Sequence, residues 1–412
     1  MNTPHNKNVL LIAFETPPAR SAGVQRPFRF AEYLLEMGWN PIILTASDDV
    51  YDRFDRELPV APELAARIHR AKAWNINKLV SVRGRSPDVL ALPDRYWPWY
   101  FSATRLGATL VREHDIGCIW STYPIMTAHL VARRLAGRFQ LPWIADFRDP
   151  MQCHYNPHYR NFNAVMCHLE RKVIASATKV CTTSVEAAQL YRALYPAQPA
   201  DKFCTIENGF VPAALPPSSS PERFTLLYSG ALYGNGRDIN RIFRALRLLK
   251  DRRLINAGNF LLRFRGSAKA GRFDPELAAH GVADLVEFAP PVPFQQALAE
   301  MQGCSANMLI QDEIFRYQIP GKLYDYIQSG KPILAVTPAG SATARVCSRL
   351  PHCQRAWDDE ELARAIADIM EARVPASLPP QAVEEFSRRA RATALAGLIA
   401  DLVAPAGKPA YC

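Results

Sequence analysis

Two sequence motifs that identify many nucleotide-binding enzymes are missing from this chain of 412 residues. Neither half contains a Gly-x-Gly-x-x-Gly fingerprint with a downstream acidic residue, and Gly230 to Gly236 comes nearest with the wrong glycine spacing. No Gly-x4-Gly-Lys-Ser/Thr phosphate loop is present either. These absences argue against a nicotinamide dehydrogenase of the standard type, and any bound nucleotide must be held in another way.

Long apolar runs and metal-ligand spacings are missing as well. No uninterrupted apolar run approaches the ~18 to 20 residues that span a bilayer, and residues 9–14 are too few for a secretory signal. The 9 cysteines are scattered and odd in number, which favours a reduced, cytoplasmic setting. Cysteine and histidine crowd residues 153–168, but their spacing fits no zinc finger. We therefore expect neither a metal site nor a metal cofactor.

Acidic residues are outnumbered by basic ones, 39 against 49, which gives a net charge of +10. A basic protein favours anionic partners, whether nucleic acid, an anionic membrane face or a phosphorylated substrate. The Lys and Arg residues form no long run, so the sequence disfavours nucleic acid as the partner.

The alternation of apolar and amphipathic segments predicts an α/β protein with two Rossmann-like domains. Residues 9–14 and 41–45 are predicted strands on either side of a glycine-containing loop and a helix at 27–37, which is how a doubly wound parallel sheet begins. Further strands of the first sheet are predicted at 116–120, 143–145, 179–182 and 203–206, with a helix at 125–136.

A stretch rich in Pro, Ser and Ala, residues 212–221, is the predicted linker. Beyond it, strands are predicted at 224–228, 260–264, 285–288, 306–310 and 333–336, and helices at 238–250 and 382–403. We thus predict a first domain at 1–211, a second at 222–381 and a C-terminal helical segment at 382–412. The two domains are expected to face each other across a ligand-binding cleft.

Residues 319–336 are the most informative stretch, because they predict a short helix that stops at Gly330 and runs into a buried strand. Pro320 suits a first helical turn, where its missing N–H is not needed. Lys322 and Asp325 lie three apart and share one helix face. Charged residues near a helix N-terminus, at the mouth of a β/α layer, are suited to holding a phosphorylated ligand.

Five segments, taken in order, resemble a known family. They are residues 20–26 (RSAGVQR), 146–150 (DFRDP), 207–210 (ENGF), 228–230 followed by Arg237, and 320–332. Together they resemble GT-B fold glycosyltransferases of the large retaining family 4, in its bacterial polysaccharide-type branch. The resemblance covers almost the whole chain. It implies an acceptor-side first domain, a nucleotide-sugar-binding second domain and a C-terminal helix that returns to the first.

For the first domain, the resemblance implies that the loop after the first strand approaches the donor. Gly23 would permit that approach, since it lacks Cβ, and Arg26 (or Arg20) would neutralise charge nearby. Asp146, Arg148 and Asp149 follow a buried strand, where ligands of open α/β sheets bind. Either aspartate is a candidate to orient or deprotonate the acceptor hydroxyl. The alternative is an internal Asp–Arg pair that ties down the loop.

For the second domain, the resemblance implies cations that clamp the donor diphosphate. Gly230 belongs to the donor loop, and Arg237 and Lys322 are the candidate cations, which would stabilise the leaving diphosphate without a metal. The alternative is that both are surface cations.

The family also carries two glutamates eight positions apart, one near the sugar and one on the ribose. Asp325 occupies the second position, but Tyr317 occupies the first. Glu313, or Asp312, is the candidate substitute from the same loop. This departure keeps open the hypothesis of an inactive relative.

Residues 94–101 form an aromatic cluster suited to sugar stacking, to a lipid interface, or simply to the core. Arg388, Arg389 and Arg391 on the last helix are expected to form a solvated face.

The favoured function is a glycosyltransferase, of hexosyl or related type, that uses a nucleoside-diphosphate sugar and a glycan or lipid-linked glycan acceptor, with retention. The expected location is the cytoplasm, with peripheral association at the inner membrane face. The alternatives are a GT-B sugar-nucleotide epimerase and a catalytically silent partner.

Overall fold

The computed structural model of the protein describes residues 6–21, 23–55, 58–80, 87–151, 163–213, 221–232, 238–267, 271–375 and 378–404. The contacts within the chain separate it into two units. Unit 1 consists of Met1–Glu207 and Arg388–Cys412, and unit 2 consists of Asn208–Ser387. Unit 1 is therefore discontinuous in sequence. The predicted linker falls mostly outside the described residues.

The sheet of unit 1 is built from seven parallel strands. They are β1 (Asn8–Ile12), β2 (Asn40–Ala46), β3 (Ile68–Ala71), β4 (Cys118–Thr122), β5 (Trp143–Phe147), β6 (Lys179–Thr182) and β7 (Phe203–Thr205). Their order across the sheet is β3-β2-β1-β4-β5-β6-β7. Strands β4 and β5 are buried along their whole length, as expected where helices cover both faces. The order reverses between β1 and β4, which makes this the switch point where open α/β sheets bind ligands.

Within the described residues, seven helices of unit 1 come before unit 2 in the sequence. They are α1 (Gln25–Glu36), α2 (Pro62–Ala65), α3 (Ile76–Val80), α4 (Trp99–Glu113), α5 (Met126–Phe139), α6 (Asn163–Ser176) and α7 (Val185–Leu194). Helix α1 is amphipathic and buries Phe28, Phe30 and Leu34. Helix α7 begins after Ser184, whose side chain accepts a hydrogen bond from the Ala187 N–H.

The sheet of unit 2 has six parallel strands. They are β8 (Phe224–Ser229), β9 (Phe260–Arg265), β10 (Val286–Ala289), β11 (Ala306–Ile310), β12 (Ile333–Val336) and β13 (Cys353–Ala356). Their order is β10-β9-β8-β11-β12-β13, so the switch point lies between β8 and β11. Both sheets therefore confirm the predicted pair of Rossmann-like domains.

The helices of unit 2 connect these strands. They are α8 (Asn240–Asp251), α9 (Asp274–His280), α10 (Phe294–Gly303), α11 (Gly321–Ser329), α12 (Ala342–Cys347), α13 (Asp359–Met370) and α14 (Pro380–Glu384). Among the described residues, no helix combines the length and the apolarity that crossing a bilayer requires.

The last helix, α15 (Arg388–Val403), belongs to unit 1 and packs against α1. Its buried side chains join the core of unit 1. The single helix predicted at 382–403 is wrong in detail, because the helical structure is broken between α14 and α15. The expected solvated arginine face is also wrong in part. Arg389 forms an ion pair with Glu36, and Arg391 lies 3.2 Å from the Glu207 carboxylate.

Candidate functional site

Arg26 and Asp146 form a buried ion pair at the carboxyl edge of the first sheet. Two guanidinium nitrogens of Arg26 donate to the two carboxylate oxygens at 3.0 and 2.7 Å, and the side chains are 2% and 0% exposed. Thr122 donates to the same carboxylate at 2.8 Å. Arg26 also donates to the carbonyl oxygens of Ile206 and Glu207, at 2.8 and 3.0 Å. This bidentate pair fastens α1 to the ends of β5 and β7.

The geometry thus favours the structural alternative for Asp146 and Arg26. The Asp146 carboxylate already accepts three hydrogen bonds and is 0% exposed, so it is poorly placed to meet an incoming hydroxyl. Since the Arg26 guanidinium already donates to these internal partners, it has little hydrogen-bonding capacity for a donor phosphate.

Arg148 holds the loops that follow β1 and β4. It donates to the backbone carbonyl of Gly23 at 3.0 Å and to that of Tyr123. Its own carbonyl accepts a hydrogen bond of 2.7 Å from Thr183. Burial lowers the pKa of Arg148 from its usual value, and the nearby Asp146 opposes that shift. Arg148 therefore acts as a brace within the loop.

Asp149 differs from Asp146, because it has no hydrogen bond to another residue that the structure describes. It is partly buried, and burial raises its pKa above the ordinary aspartate value, against the smaller opposing effect of Arg148. A carboxylate with a raised pKa and unused acceptor capacity is suited to general-base work. Of the two candidate aspartates, Asp149 is therefore the one whose carboxylate forms no hydrogen bond with other described residues.

Gly23 lies against Glu15 at the switch point of unit 1. A Cβ built on Gly23 would overlap the end of the Glu15 side chain, so any other residue here would have to displace that carboxylate. Ser21 donates to that carboxylate at 2.6 Å. Gly23, Glu15 and Arg148 line a small cavity there. Glu15 was not among the predicted site residues, although an acidic residue just after the first strand was a usable signal.

In unit 2, the structure brings Gly230 and Lys322 together at the switch point. Gly230 follows β8 with φ +110, and a Cβ built on it would lie 3.1 Å from the Lys322 ammonium nitrogen. That nitrogen is buried and lies 3.9 Å from the centre of the Tyr228 ring. Ser267 donates to the Gly230 carbonyl at 2.8 Å, which holds the loop in place. Gly230 and Lys322 are 92 positions apart in the sequence and lie side by side in the fold.

Lys322 stands in the first turn of α11, whose N-cap is Pro320. The N-cap makes no side-chain hydrogen bond, and a Cβ built on Gly321 would meet nothing within 4 Å. Pro320 immediately precedes the helix, so the prediction that it lies in the first helical turn is wrong. A helix N-terminus with open space and an adjacent ammonium group is suited to an anionic ligand.

The acidic candidates of unit 2 are more dispersed. Asp325 is partly buried in α11. Glu313 is exposed and forms an ion pair with Arg316, and Asp312 accepts a 2.8 Å hydrogen bond from the Glu313 N–H. Arg237 lies outside the described residues. Gln311, which our sequence analysis missed, follows β11 directly and donates to two carbonyls of the next loop at 2.9 Å each.

Solved structures with this architecture are similar over nearly the whole chain. Sucrose-phosphate synthase from Thermosynechococcus elongatus is 15% identical, with TM-score 0.59, and the match covers 95% of this chain and 96% of that one. HepE from Anabaena, solved with UDP and glucose, is 11% identical, with TM-score 0.59 and coverage of 96% and 100%. The lipopolysaccharide outer core galactosyltransferase WaaB is 11% identical, with TM-score 0.60 and coverage of 95% and 99%. At such identities these likenesses speak for the fold.

Residues 21–209 match the family model described as a glycosyl transferase 4-like domain. The chain has the GT-B fold, and its residues 21–209 are similar to a glycosyl transferase 4-like domain. The match spans the whole segment from the Gly23 loop to Gly209, so it includes the DFRDP segment. No curated protein matches the chain at a significant level. The predicted family resemblance of this GT-B protein is confirmed.

The aromatic segment of this GT-B protein divides between core and surface. Tyr96 stacks on Phe14 with 4.2 Å between ring centres, and Trp99 is buried. Asp94 accepts two 2.8 Å hydrogen bonds from Thr127 at the start of α5. Phe101, by contrast, is 66% exposed. Core packing therefore explains most of the segment but leaves Phe101 unexplained.

No group of three or more His, Cys, Asp or Glu residues within the described part of this GT-B chain could hold a metal ion. Most of residues 153–168 lies outside that part. Metal-independent chemistry stays a prediction.

Proposed function

We propose that the protein transfers a sugar from a nucleoside-diphosphate sugar to a hydroxyl group of a glycan or lipid-linked glycan, with retention of anomeric configuration. The observation that carries the proposal is the contact of Gly230 with Lys322 at the N-terminus of α11. The match to a glycosyl transferase 4-like domain supports the same chemistry. HepE, a structural neighbour, was solved with UDP-glucose, which makes UDP the first nucleotide to test.

Donor cleavage leaves negative charge on the nucleoside diphosphate. Lys322 and the backbone N–H groups at the start of α11 would stabilise that charge, in the role that a metal has elsewhere. Gly230 would let the phosphates approach the backbone, since it has no side chain. We assign Arg237 to the same diphosphate, Asp325 to the ribose hydroxyls and Glu313 to the sugar.

The acceptor hydroxyl would lose its proton to Asp149. Its raised pKa makes it a stronger base than an ordinary aspartate, and its carboxylate has free acceptor capacity among the described residues. Arg148 would position this loop through its bonds to the Gly23 and Tyr123 carbonyls.

Replacing Lys322 with Ala tests the donor site. A lost charge-assisted contact is worth about 1.5 to 3 kcal/mol, so UDP binding should weaken by about tenfold to a hundredfold in calorimetry. The control is Lys331→Ala, which removes the same charge just beyond the other end of α11 and should leave UDP affinity unchanged. Equal UDP affinity in wild type and Lys322→Ala would remove Lys322 from the phosphate site.

A panel of UDP-, GDP-, ADP- and dTDP-sugars separates the candidate functions. A donor that raises the melting temperature and slowly releases its nucleoside diphosphate supports a transferase. Interconversion of sugar nucleotides without acceptor would indicate an epimerase. One observation supports the silent-partner alternative. Tyr317 replaces the family glutamate, and the candidate substitute Glu313 is held in an ion pair with Arg316. Stabilisation without release or transfer, under any acceptor tested, would favour it.

A further inference from the structure

Helices α4, α5 and α6 of unit 1 present an outer surface dominated by positive charge. We call it the cationic face, and its members are Arg105, Arg112, Arg133, Arg134, Arg138, Arg171 and Lys172, all exposed. The helices are neighbours, because α5 packs on both α4 and α6, and Arg133 donates to Ser176 of α6 at 3.0 Å. The only exposed acidic side chain on these three helices, within the described residues, is Glu113.

None of these cations forms an ion pair with another residue that the structure describes. Helix α8 of unit 2 shows the contrast, because its cations are matched to acids. Arg244 pairs with Asp359, Arg247 with Asp251, Lys250 with Asp284 and Arg252 with Glu360. On α5, Arg134 and Arg138 stand one turn apart, an arrangement of like charges that weakens a helix. The cationic face therefore has a surplus of charge that an external anion would relieve.

Exposed apolar side chains, which we call the apolar edge, lie beside the cationic face, and one of them belongs to α4. Phe101 precedes Arg105 and Arg112 by 4 and 11 residues, so all three lie on one side of the helix. The Phe101 and Trp97 rings pack edge to face, with 6.3 Å between their centres. The Trp97 indole N–H donates to the Leu90 carbonyl at 2.9 Å. The members of this apolar edge are Phe101, Leu90, Val89 and Leu79, which are 66%, 44%, 58% and 63% exposed.

We propose that the cationic face and the apolar edge dock unit 1 on a membrane surface that contains anionic lipids. Arginines attract anionic headgroups within a Debye length of the surface, and an aromatic ring beside aliphatic side chains enters the boundary between headgroups and acyl chains. A nucleic acid would use the arginines but would leave Phe101, Leu79 and Val89 in water. The apolar edge therefore selects lipid among anionic partners.

Vesicle co-sedimentation of the full chain, without donor, tests the proposal. Vesicles of phosphatidylcholine mixed with phosphatidylglycerol should bind the protein, vesicles of phosphatidylcholine alone should bind it weakly, and added salt should release it. Neutralising four cations with Arg105→Gln, Arg112→Gln, Arg134→Gln and Arg138→Gln should weaken binding several hundredfold, at about fivefold for each. Phe101→Ser should weaken it by about tenfold at unchanged charge.

The matched control removes Arg244, Arg247 and Arg252 of α8 as glutamines and should bind vesicles as the wild type does. Thermal melting followed by circular dichroism verifies that each variant is folded. Equal vesicle binding by wild type and the four-arginine variant would overturn the proposal. Tight binding of a duplex oligonucleotide, together with no binding to the anionic vesicles, would also overturn the proposal. Since no donor is present, failure here would leave the proposed transfer reaction standing.

Discussion

Replacing Gly230 with Ala should damage unit 2 in two separable ways. The residue has φ +110, where an L-amino acid is strained by about 1 to 3 kcal/mol. The new methyl carbon would also lie 3.1 Å from the Lys322 ammonium nitrogen, which is buried over the Tyr228 ring, so that nitrogen would have to shift. We therefore expect unit 2 to lose about 2 kcal/mol of stability and Lys322 to be pushed from its position.

A double-mutant cycle with Lys322→Ala separates the two effects. In the Lys322→Ala background the close contact is gone, so Gly230→Ala should cost only the backbone strain and should weaken UDP binding little further. Urea unfolding followed by fluorescence gives the stability of the four proteins, and calorimetry gives their UDP affinity. Gly340→Ala is the control for strain alone, since its φ is +73 and its added carbon would meet Arg316 at an ordinary 3.6 Å.

Additive effects on UDP affinity would contradict this reasoning, because two residues that act through one contact cannot contribute independently. A Gly230→Ala protein as stable as the wild type would show that the loop adopts another backbone conformation.

Three further changes probe unit 1. Asp146→Asn should cost about 3 to 5 kcal/mol in urea unfolding, because it leaves the Arg26 guanidinium charged and buried without its partner, and a loss below about 1 kcal/mol would contradict the buried pair. Asp149→Asn should reduce transfer far more than UDP affinity. In the wild type, the transfer rate should fall with decreasing pH through a pKa above the usual aspartate value; equal turnover by both proteins would leave Asp149 a structural role. Burial lowers the pKa of His129 to about 3, so the unfolded chain takes up a proton below about pH 6.5 that the folded protein does not. Stability from this residue is present above that pH and is lost as the pH falls towards 3, so His129→Gln should flatten the acid side of the stability profile, measured against wild type.

The apolar strands of both sheets were predictable because a strand that is buried on both faces has a continuous hydrophobic run in its sequence. The two that escaped, β3 and β13, are edge strands. Their sequences, Ile-His-Arg-Ala and Cys-Gln-Arg-Ala, carry polar residues because one side of each has no neighbouring strand. The break before α15 escaped for a related reason, since residues 385–387 interrupt no apolar pattern.

At the site, the sequence indicated which residues matter but not which of them meet. Arg26 and Asp146 were both candidates for ligand contacts, yet they pair with each other across 120 positions of chain. Only the fold, which places the start of α1 near the end of β5, brings them together, and no local spacing encodes that. Lys322 was recognised from its helix, whereas its neighbour Gly230 was placed in the donor loop without a contact to Lys322.

The discontinuity of unit 1 affects how the protein is made. Helix α15 supplies Ala392, Leu395, Ala396 and Ile399 to a core whose other buried members lie before residue 207. During translation, the apolar face of unit 1 that α15 later covers stays exposed while the 180 residues of unit 2, from Asn208 to Ser387, are synthesised. Unit 2 is continuous in sequence, so all of its residues are synthesised before α15. The sequence of the second unit is therefore complete in a nascent chain before that of the first.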